Sequence, residues 1–250
     1  MSALVVGVLV FGCGIGGALI GVFIGRRLPP QHMNSDTKEV VRLGMGMVAT
    51  IAALVLGLLI ASAKEFYDNQ KEELAHVSAN VVLLDRLLRH YGPEAEAGRT
   101  VLRQSVARSL ETIWPAEHTR IDAAPKMAQA ERLYDLIQGL APADNRQRSI
   151  QSEAMSLAVN LGQTRWLMFE ETQTSFSRPL LAVLLLWVTS IFLSWGIYSP
   201  LNATTLAVFL VAALSVSASV VLIVELYSPF NGLLRIPNLP LRLAYAELGH

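Results

Sequence analysis

The sequence predicts an all-α membrane protein with four transmembrane helices and a helical-bundle insert between the second and the third of them. Three observations lead to this prediction. The 250 residues are 52% hydrophobic and only 16% charged, with a mean hydropathy of +0.43, whereas about a quarter of the residues in an ordinary soluble domain are charged. Of the 40 charged residues, 30 lie between Lys64 and Arg178. The remainder of the chain contains four long apolar runs.

Each apolar run is long enough to cross a bilayer as a helix, which takes about 20 residues. The runs are residues 3–25, 43–63, 179–198 and 203–224. Because backbone amides in lipid must be hydrogen-bonded within their own segment, we expect each run to be helical. No positive stretch precedes the first run, and Arg26-Arg27 follows it, so we expect a retained anchor rather than a cleaved signal.

The spans divide the chain into four segments. Residues 1–63 hold the first two transmembrane helices and their connecting loop, and residues 64–178 form the soluble insert. Residues 179–226 hold the third and fourth transmembrane helices, and residues 227–250 form a C-terminal segment.

The insert carries apolar residues at alternating steps of three and four, which is typical of helices that pack along one seam. One seam consists of Leu74, Val77, Val81, Leu84, Leu88 and Tyr91, and another of Ile150, Ala154, Leu157, Leu161, Thr164 and Met168. No proline or glycine separates Gly57 from Gly92, so the second span is predicted to continue into the insert as a single helix. Gly92-Pro93 ends that helix. Further helices are predicted from Glu94 to Trp114, ended by Pro115, and from Pro125 onwards.

The composition excludes several classes of function. Equal numbers of acidic and basic residues leave no basic surface for nucleic acid, and the single cysteine, Cys13, cannot form an internal disulfide. The five histidines lack the helical spacing of a metal site, and the chain has no phosphate-binding loop and no nucleophile elbow. We therefore expect a protein without catalytic residues, cofactor or metal, whose surroundings are the lipid bilayer.

Small residues form a stripe along the second span. Gly46, Thr50, Ala53, Gly57 and Ala61 follow one another at steps of four, three, four and four. Small side chains let helices approach each other closely in lipid, so the stripe is one side of a helix contact in the first interpretation. In the second interpretation it lines a narrow pore, since an apolar constriction gates by dewetting and needs no charge. The spacing leaves both interpretations open.

A second set of candidate residues lies on the fourth span. Ser215 and Ser219 share one face with Ala212, and Glu225 closes the span. The two hydroxyls are predicted either to bond to backbone carbonyls, as is usual in membrane helices, or to belong to a secondary pore or gate. Glu225 is either a functional ionisable group or a carboxylate that reaches water at the end of the helix.

Two further patterns concern helix packing and the membrane interface. Gly17-x-x-x-Gly21 in the first span predicts a close contact with another helix. Aromatic residues near the span ends, among them Phe66 and Tyr227, predict anchoring at the interface between lipid and water.

Several motifs resemble the bestrophins. Leu58-Leu59-Ile60 followed by Ala63-Lys64-Glu65-Phe66-Tyr67-Asp68 resembles the end of the bestrophin second span, and Ser228-Pro229-Phe230-Asn231-Gly232 resembles the turn after their fourth span. The whole chain resembles the bestrophin-like membrane proteins of bacteria. This likeness is carried by Val41-Arg42-Leu43-Gly44, by Leu56-Gly57-Leu58-Leu59-Ile60-Ala61-Ser62-Ala63-Lys64 and by Leu161-Gly162-Gln163-Thr164-Arg165-Trp166.

The resemblance implies a function for the stripe. Bestrophins are homo-oligomeric ion channels, usually pentamers, whose second spans line the pore and whose insert is cytosolic. The implied protein is a homo-oligomer, with a pentamer favoured, that passes inorganic ions passively along Gly46, Thr50, Ala53, Gly57 and Ala61 in the inner membrane of a bacterial cell. Animal bestrophins follow the turn with an acidic cluster that binds calcium; here Leu233-Leu234-Arg235 follows it, so the resemblance does not extend to calcium gating.

Two alternatives stay open at this point. The lysine and arginine residues of the short loops favour an insert outside the cytoplasm, whereas the resemblance implies a cytosolic insert. The alternative function is a non-conducting membrane scaffold or sensor, whose insert would bind a protein partner through the seams at 74–91 and 150–168.

Overall fold

The computed structural model describes residues 2–29, 34–114, 127–173, 178–200 and 202–248, which form helices joined by turns, without a strand among them. The all-α prediction is confirmed. In chain order the elements are α1 (Ala3–Gly25), α2 (Ser35–Tyr91), a 3-10 turn (Pro93–Ala95), α3 (Glu96–Ile113), α4 (Met127–Gln138), α5 (Asn145–Gln173), α6 (Arg178–Tyr198), α7 (Ala203–Leu226) and α8 (Leu239–Glu247). Pro115, Pro125 and the side chain of Met168 lie outside the described residues.

Four of the helices are long and apolar enough to cross a membrane, as the sequence predicts. They are α1, α2, α6 and α7. Two of them begin with side-chain caps, which satisfy free amides of a first helical turn: the Ser2 hydroxyl accepts a hydrogen bond from the Val5 amide, and the Asn202 side chain accepts one from the Thr205 amide. The chain is therefore a membrane protein.

The second span does continue beyond the apolar run. Helix α2 is 57 residues long and is unbroken from Ser35 to Tyr91. It ends where the sequence predicts, because Gly92 has a φ of 131°, in a region that side-chain-bearing residues rarely adopt. Pro93 then begins the short 3-10 turn.

The described residues fall into two compact units. The first contains α1, α2 as far as Tyr67, α6, α7 and the residues up to Leu234. The second contains α2 from Asp68, helices α3 to α5, and α8 with the residues from Arg235. The end of the chain therefore divides between the units at Leu234 and Arg235.

In the first unit, α1 packs against α6 and α7. Their shared core consists of Val6, Val10, Ala18, Leu184, Val188, Phe192, Phe209, Ala213 and Val220. The close contact predicted at Gly17-x-x-x-Gly21 is confirmed, and the partner is α6: a Cβ at Gly21 would overlap the Leu193 carbonyl oxygen, and one at Gly17 would lie 2.9 Å from that of Thr189. Glycine is needed here because the backbones touch.

In the second unit, the predicted seam of α2 is the inward face. Leu74, Val81, Leu84, Leu88 and Tyr91 are buried, and Val77 is half-buried. Asp85 is buried beside this seam and pairs with Arg99 of α3. The residues before α8 are attached to the same unit, since the Trp114 indole donates a hydrogen bond to the Ile236 carbonyl at 2.9 Å.

Candidate pore-lining site

The five small residues of α2 share one face of the helix, and this face is open. At 3.6 residues per turn they fall within a sector of roughly 80°, over about 22 Å of helix. Gly46, Thr50, Ala53, Gly57 and Ala61 are all exposed in the single chain. A Cβ built at Gly46 or Gly57 would meet no atom within 4 Å. No helix of the described chain therefore packs on the stripe at these two glycines.

The other faces of α2 have different surroundings. Ala52 and Ala63, roughly a third of a turn from the stripe, are buried in the same chain. Leu56 packs against the core that α1 shares with α6 and α7. A second cluster consists of Ala63, Ile223 and Leu226, and it is contacted by Leu56, Leu59 and Ile60. On the opposite side of the stripe lie large exposed residues, namely Met47, Leu54 and Leu58. Helix α2 thus has a packed face, a face of small residues and a face of large apolar residues.

The stripe is electrically neutral along its length. Its one polar side chain is that of Thr50, and the Thr50 hydroxyl donates a hydrogen bond to the Gly46 carbonyl of its own helix at 2.9 Å. This bond occupies the hydroxyl proton, which leaves the oxygen as an acceptor. A cavity lined by this face would be narrow and largely apolar.

The serine candidates of α7 bond to the backbone of their own helix. Ser215 donates to the Val211 carbonyl at 2.8 Å, and Ser219 donates to the Ser215 carbonyl at 2.9 Å. A third hydroxyl of this helix crosses to α1 instead, because buried Ser217 donates to the Gly7 carbonyl at 2.7 Å. The structure thus contains both kinds of hydroxyl bond that are usual in membrane helices.

Glu225 is buried at the end of α7, with 8% of its surface exposed. Its carboxylate accepts hydrogen bonds from the amides of Leu233 and Leu234, at 2.5 and 3.3 Å. Gly232 of the same turn has a φ of 95°, and a Cβ there would overlap the carboxylate. The carboxylate therefore closes the turn that follows α7, which neither interpretation from the sequence anticipated.

A contact at the end of the stripe was not predicted from the sequence. The Tyr227 hydroxyl lies 3.3 Å from the Ser62 hydroxyl, and the Tyr227 ring lies 5.4 Å, centroid to centroid, from that of Phe66. The aromatic pattern indicated interface anchoring, whereas the structure gives these two rings each other as partners. The available signal was the spacing of Ser62 and Phe66, which places them on one helical face.

Within the described ranges, no three His, Cys, Asp or Glu side chains come together in a way that could hold a metal ion. Along the sequence, the charged residue that most closely precedes the stripe is Arg42, and those that most closely follow it are Lys64 and Glu65.

Comparison with known proteins identifies the family. The sequence profile of the Bestrophin-like domain matches residues 12–241, which is nearly the whole chain. The chain belongs to the bestrophin-like family. Comparison with curated proteins gave no match, and comparison with solved structures gave none either.

Membership in the bestrophin-like family points to an ion-channel kind of function rather than to catalysis. The two motifs that resemble bestrophins are neighbours in this bestrophin-like chain. The first motif contains Phe66, and the turn 228–232 follows directly after Tyr227, whose ring lies 5.4 Å from that of Phe66. These two motifs therefore come close to each other at the end of the stripe.

Proposed function

We propose that this protein is a homo-oligomeric channel that passes ions passively through a pore lined by Gly46, Thr50, Ala53, Gly57 and Ala61. The observation that carries the proposal is the contrast between two sets of glycines. Gly17 and Gly21 of α1 face the backbone of α6, whereas Gly46 and Gly57 of α2 face open space. Close packing within the chain accounts for Gly17 and Gly21 and leaves Gly46 and Gly57 without such an explanation.

A pore requires several copies of the chain. One α2 helix cannot enclose a channel. In the most apolar stretch of α2 only 6% of the residues are buried within the chain, whereas the corresponding share is 39% in α1, 33% in α6 and 28% in α7. An apolar helix that remains this exposed has surface available for a second copy. The large residues Met47, Leu54 and Leu58 beside the stripe would then contact a neighbouring α2, and the stripe would face the axis. The resemblance to bestrophins favours five copies.

The neutral stripe determines how we expect the pore to close. Without a fixed charge along about 22 Å of helix, such a pore would close by dewetting rather than by electrostatic repulsion. The role of Ser215, Ser219 and Glu225 as a secondary pore or gate stays a prediction. We place the protein in the inner membrane of a bacterial cell, as the resemblance implies, and the side on which the insert lies stays open.

The second candidate function is a non-conducting scaffold or sensor. That hypothesis needs the seams of the insert to face a partner. Leu74, Leu84 and Leu88 are instead buried within the second unit. In the other seam Ala154 is buried, and the remaining described members are half-buried, namely Ile150, Leu157, Leu161 and Thr164. This burial favours the channel over the scaffold.

The first experiment is single-channel recording of the purified protein in planar bilayers under a salt gradient. Discrete openings with a defined reversal potential are expected, and the potential reports the preferred ion. Silence of oligomeric, folded protein would favour the scaffold.

The pore assignment is tested by Thr50→Trp, with Leu19→Trp on α1 as the control. A bulky ring at position 50 would fill a narrow pore, so conductance is expected to be lost while the oligomer, measured by light scattering, keeps its mass. Leu19 is already large, is 57% exposed and lies outside the stripe, and its variant is expected to conduct. Wild-type conductance in the Thr50→Trp protein would contradict the assignment.

A further inference from the structure

Helix α2 is attached to its own chain mainly at the end of its apolar run. Between residues 43 and 63 the buried residues are Ala52 and Ala63, and Ala63 is completely buried. Ala63 packs against Ile223 and Leu226 of α7, with Leu59, Ile60, Tyr67 and Tyr227 around them. The contacts that hold the span are therefore concentrated where the stripe ends.

Among the contacts of Tyr227 with α2 at this end are a hydrogen bond and a ring contact. Its hydroxyl is hydrogen-bonded to the Ser62 hydroxyl at 3.3 Å, and its ring packs at a tilt of 36° on Phe66. Ser62 follows directly after Ala61, the last residue of the stripe. Because successive residues of an α-helix point about 100° apart, the rotation that brings Ser62 to Tyr227 also determines the direction of Ala61.

The position of Tyr227 is itself fixed by the turn after α7. The Tyr227 amide donates to the Ile223 carbonyl at 3.1 Å, and the Ser228 amide donates to that of Glu225 at 3.0 Å. The Glu225 carboxylate then accepts hydrogen bonds from the amides of Leu233 and Leu234, on the far side of the turn in the chain. Tyr227 thus projects from a backbone that is hydrogen-bonded on both sides.

We infer that Tyr227 is a positioning residue for the stripe: its hydroxyl bond to Ser62 sets the rotation of α2 at Ala61 and so contributes to the balance between conducting and closed pores. The inference rests on the proposed channel. Tyr227 acts on the stripe through Ser62 and Phe66. One hydrogen bond of ordinary net strength shifts an equilibrium between two states by about two- to tenfold.

The test is a double-mutant cycle in single-channel recordings. Ser62→Ala and Tyr227→Phe each remove one hydroxyl and keep the packing of the ring on Phe66, and the double variant removes both. Each single variant is expected to change the ratio of open to closed time by about two- to tenfold in the same direction. The double variant is expected to change it no further, because both substitutions break the same bond. Tyr198→Phe, which removes a phenolic hydroxyl at the end of α6, is the matched control and is expected to behave as wild type.

Two results would overturn the inference: single variants with wild-type gating, or a double variant whose effect is the product of the two single effects. If the wild-type protein shows no channel openings, that result would instead contradict the proposed channel. A second measurement then tests whether the hydrogen bond between Ser62 and Tyr227 holds α2 in place. In amide hydrogen exchange, residues 59–66 are expected to exchange about two- to tenfold faster in Tyr227→Phe than in wild type or Tyr198→Phe. Equal exchange in all three proteins would show that the bond does not hold α2.

Discussion

Asp85 and Arg99 form an ion pair in the insert. We expect this pair to contribute to the free energy of unfolding. The Asp85 side chain is 5% exposed, and its carboxylate accepts hydrogen bonds from Nε and Nη2 of Arg99 at 2.9 and 3.4 Å. The Arg99 guanidinium also donates to Glu96 at 3.0 Å. The hydrogen bond to Asp85 raises the pKa of Arg99 above its ordinary value. A buried carboxylate is tolerated here because its charge is matched.

The variant Asp85→Asn removes this charge and leaves Arg99 half-buried without its main partner. Removing one member of a buried pair is expected to lower the free energy of unfolding by about 3 kcal/mol, measured by circular dichroism during denaturation in detergent. Because the pKa of Arg99 is raised on folding, the contribution of Arg99 is fully retained below its ordinary pKa and is lost only at more alkaline pH, as the pH rises through the raised pKa. The contribution of the Arg99 guanidinium to the free energy of unfolding of the wild-type protein should therefore stay constant at mildly alkaline pH.

Asp135→Asn is the control for this prediction, since Asp135 lies exposed on α4. Its stability is expected to remain within about 0.5 kcal/mol of wild type. Equal losses in the two variants would mean that burial of the pair does not matter.

At the scale of helices, the glycines of α1 separate into two groups according to what lies opposite. Gly21 and Gly25 face the carbonyl oxygens of Leu193 and Ile197 in α6. Gly12 and Gly16 face open space. The spacing alone does not distinguish the groups, because Gly12-x-x-x-Gly16 and Gly17-x-x-x-Gly21 have the same form. The helix that packs against α1 makes the difference.

This contrast gives a pair of matched variants. Gly21→Val places a branched side chain against the α6 backbone, so α1 and α6 must separate, and the loss of stability is expected to be about 1–3 kcal/mol or more. Gly16→Val makes the same chemical change on the open face, and its melting temperature in detergent should be close to that of wild type. A lower melting temperature for Gly16→Val than for Gly21→Val would contradict the assigned α1–α6 packing.

At the scale of the whole molecule, the proposed channel makes a prediction about neighbouring copies. If several α2 helices surround one axis, residues of the stripe from different copies lie near each other. Cys13 is the only cysteine, so Cys13→Ser gives a cysteine-free background. In that background Ala61→Cys is expected to give covalent dimers with a short bifunctional maleimide, and no larger species, because each chain then carries one thiol.

Leu19→Cys is the control for cross-linking, because Leu19 is 57% exposed on α1 and lies outside the stripe. It is expected to remain mostly monomeric on a denaturing gel. Equal cross-linking at the two positions would indicate random collisions, and its absence at position 61 in oligomeric protein would place the stripe away from a common axis.

Much of this architecture follows from local properties of the sequence. The four spans were predictable because lipid demands about 20 apolar residues per helix. The continuation of α2 into the insert was predictable because no glycine or proline lies between Gly57 and Gly92. The seam from Leu74 to Tyr91 was predictable because burial on one side of a helix produces a period of 3.6 residues. Each of these signals is contained within a few turns of one helix.

The surroundings of individual side chains depend on which helices become neighbours, and no local period encodes that choice. Ser62 and Tyr227 are 165 positions apart in the chain and yet share a hydrogen bond. Glu225 ends an apolar helix, and only the turn at Gly232 brings two amides to its carboxylate. The sequence by itself determined the four apolar spans, the continuation of α2 into the insert and the inward seam of α2, because those follow from hydropathy and helical periodicity. The tertiary structure alone decided that Gly21 is packed and Gly57 is open, because that depends on which backbone lies opposite.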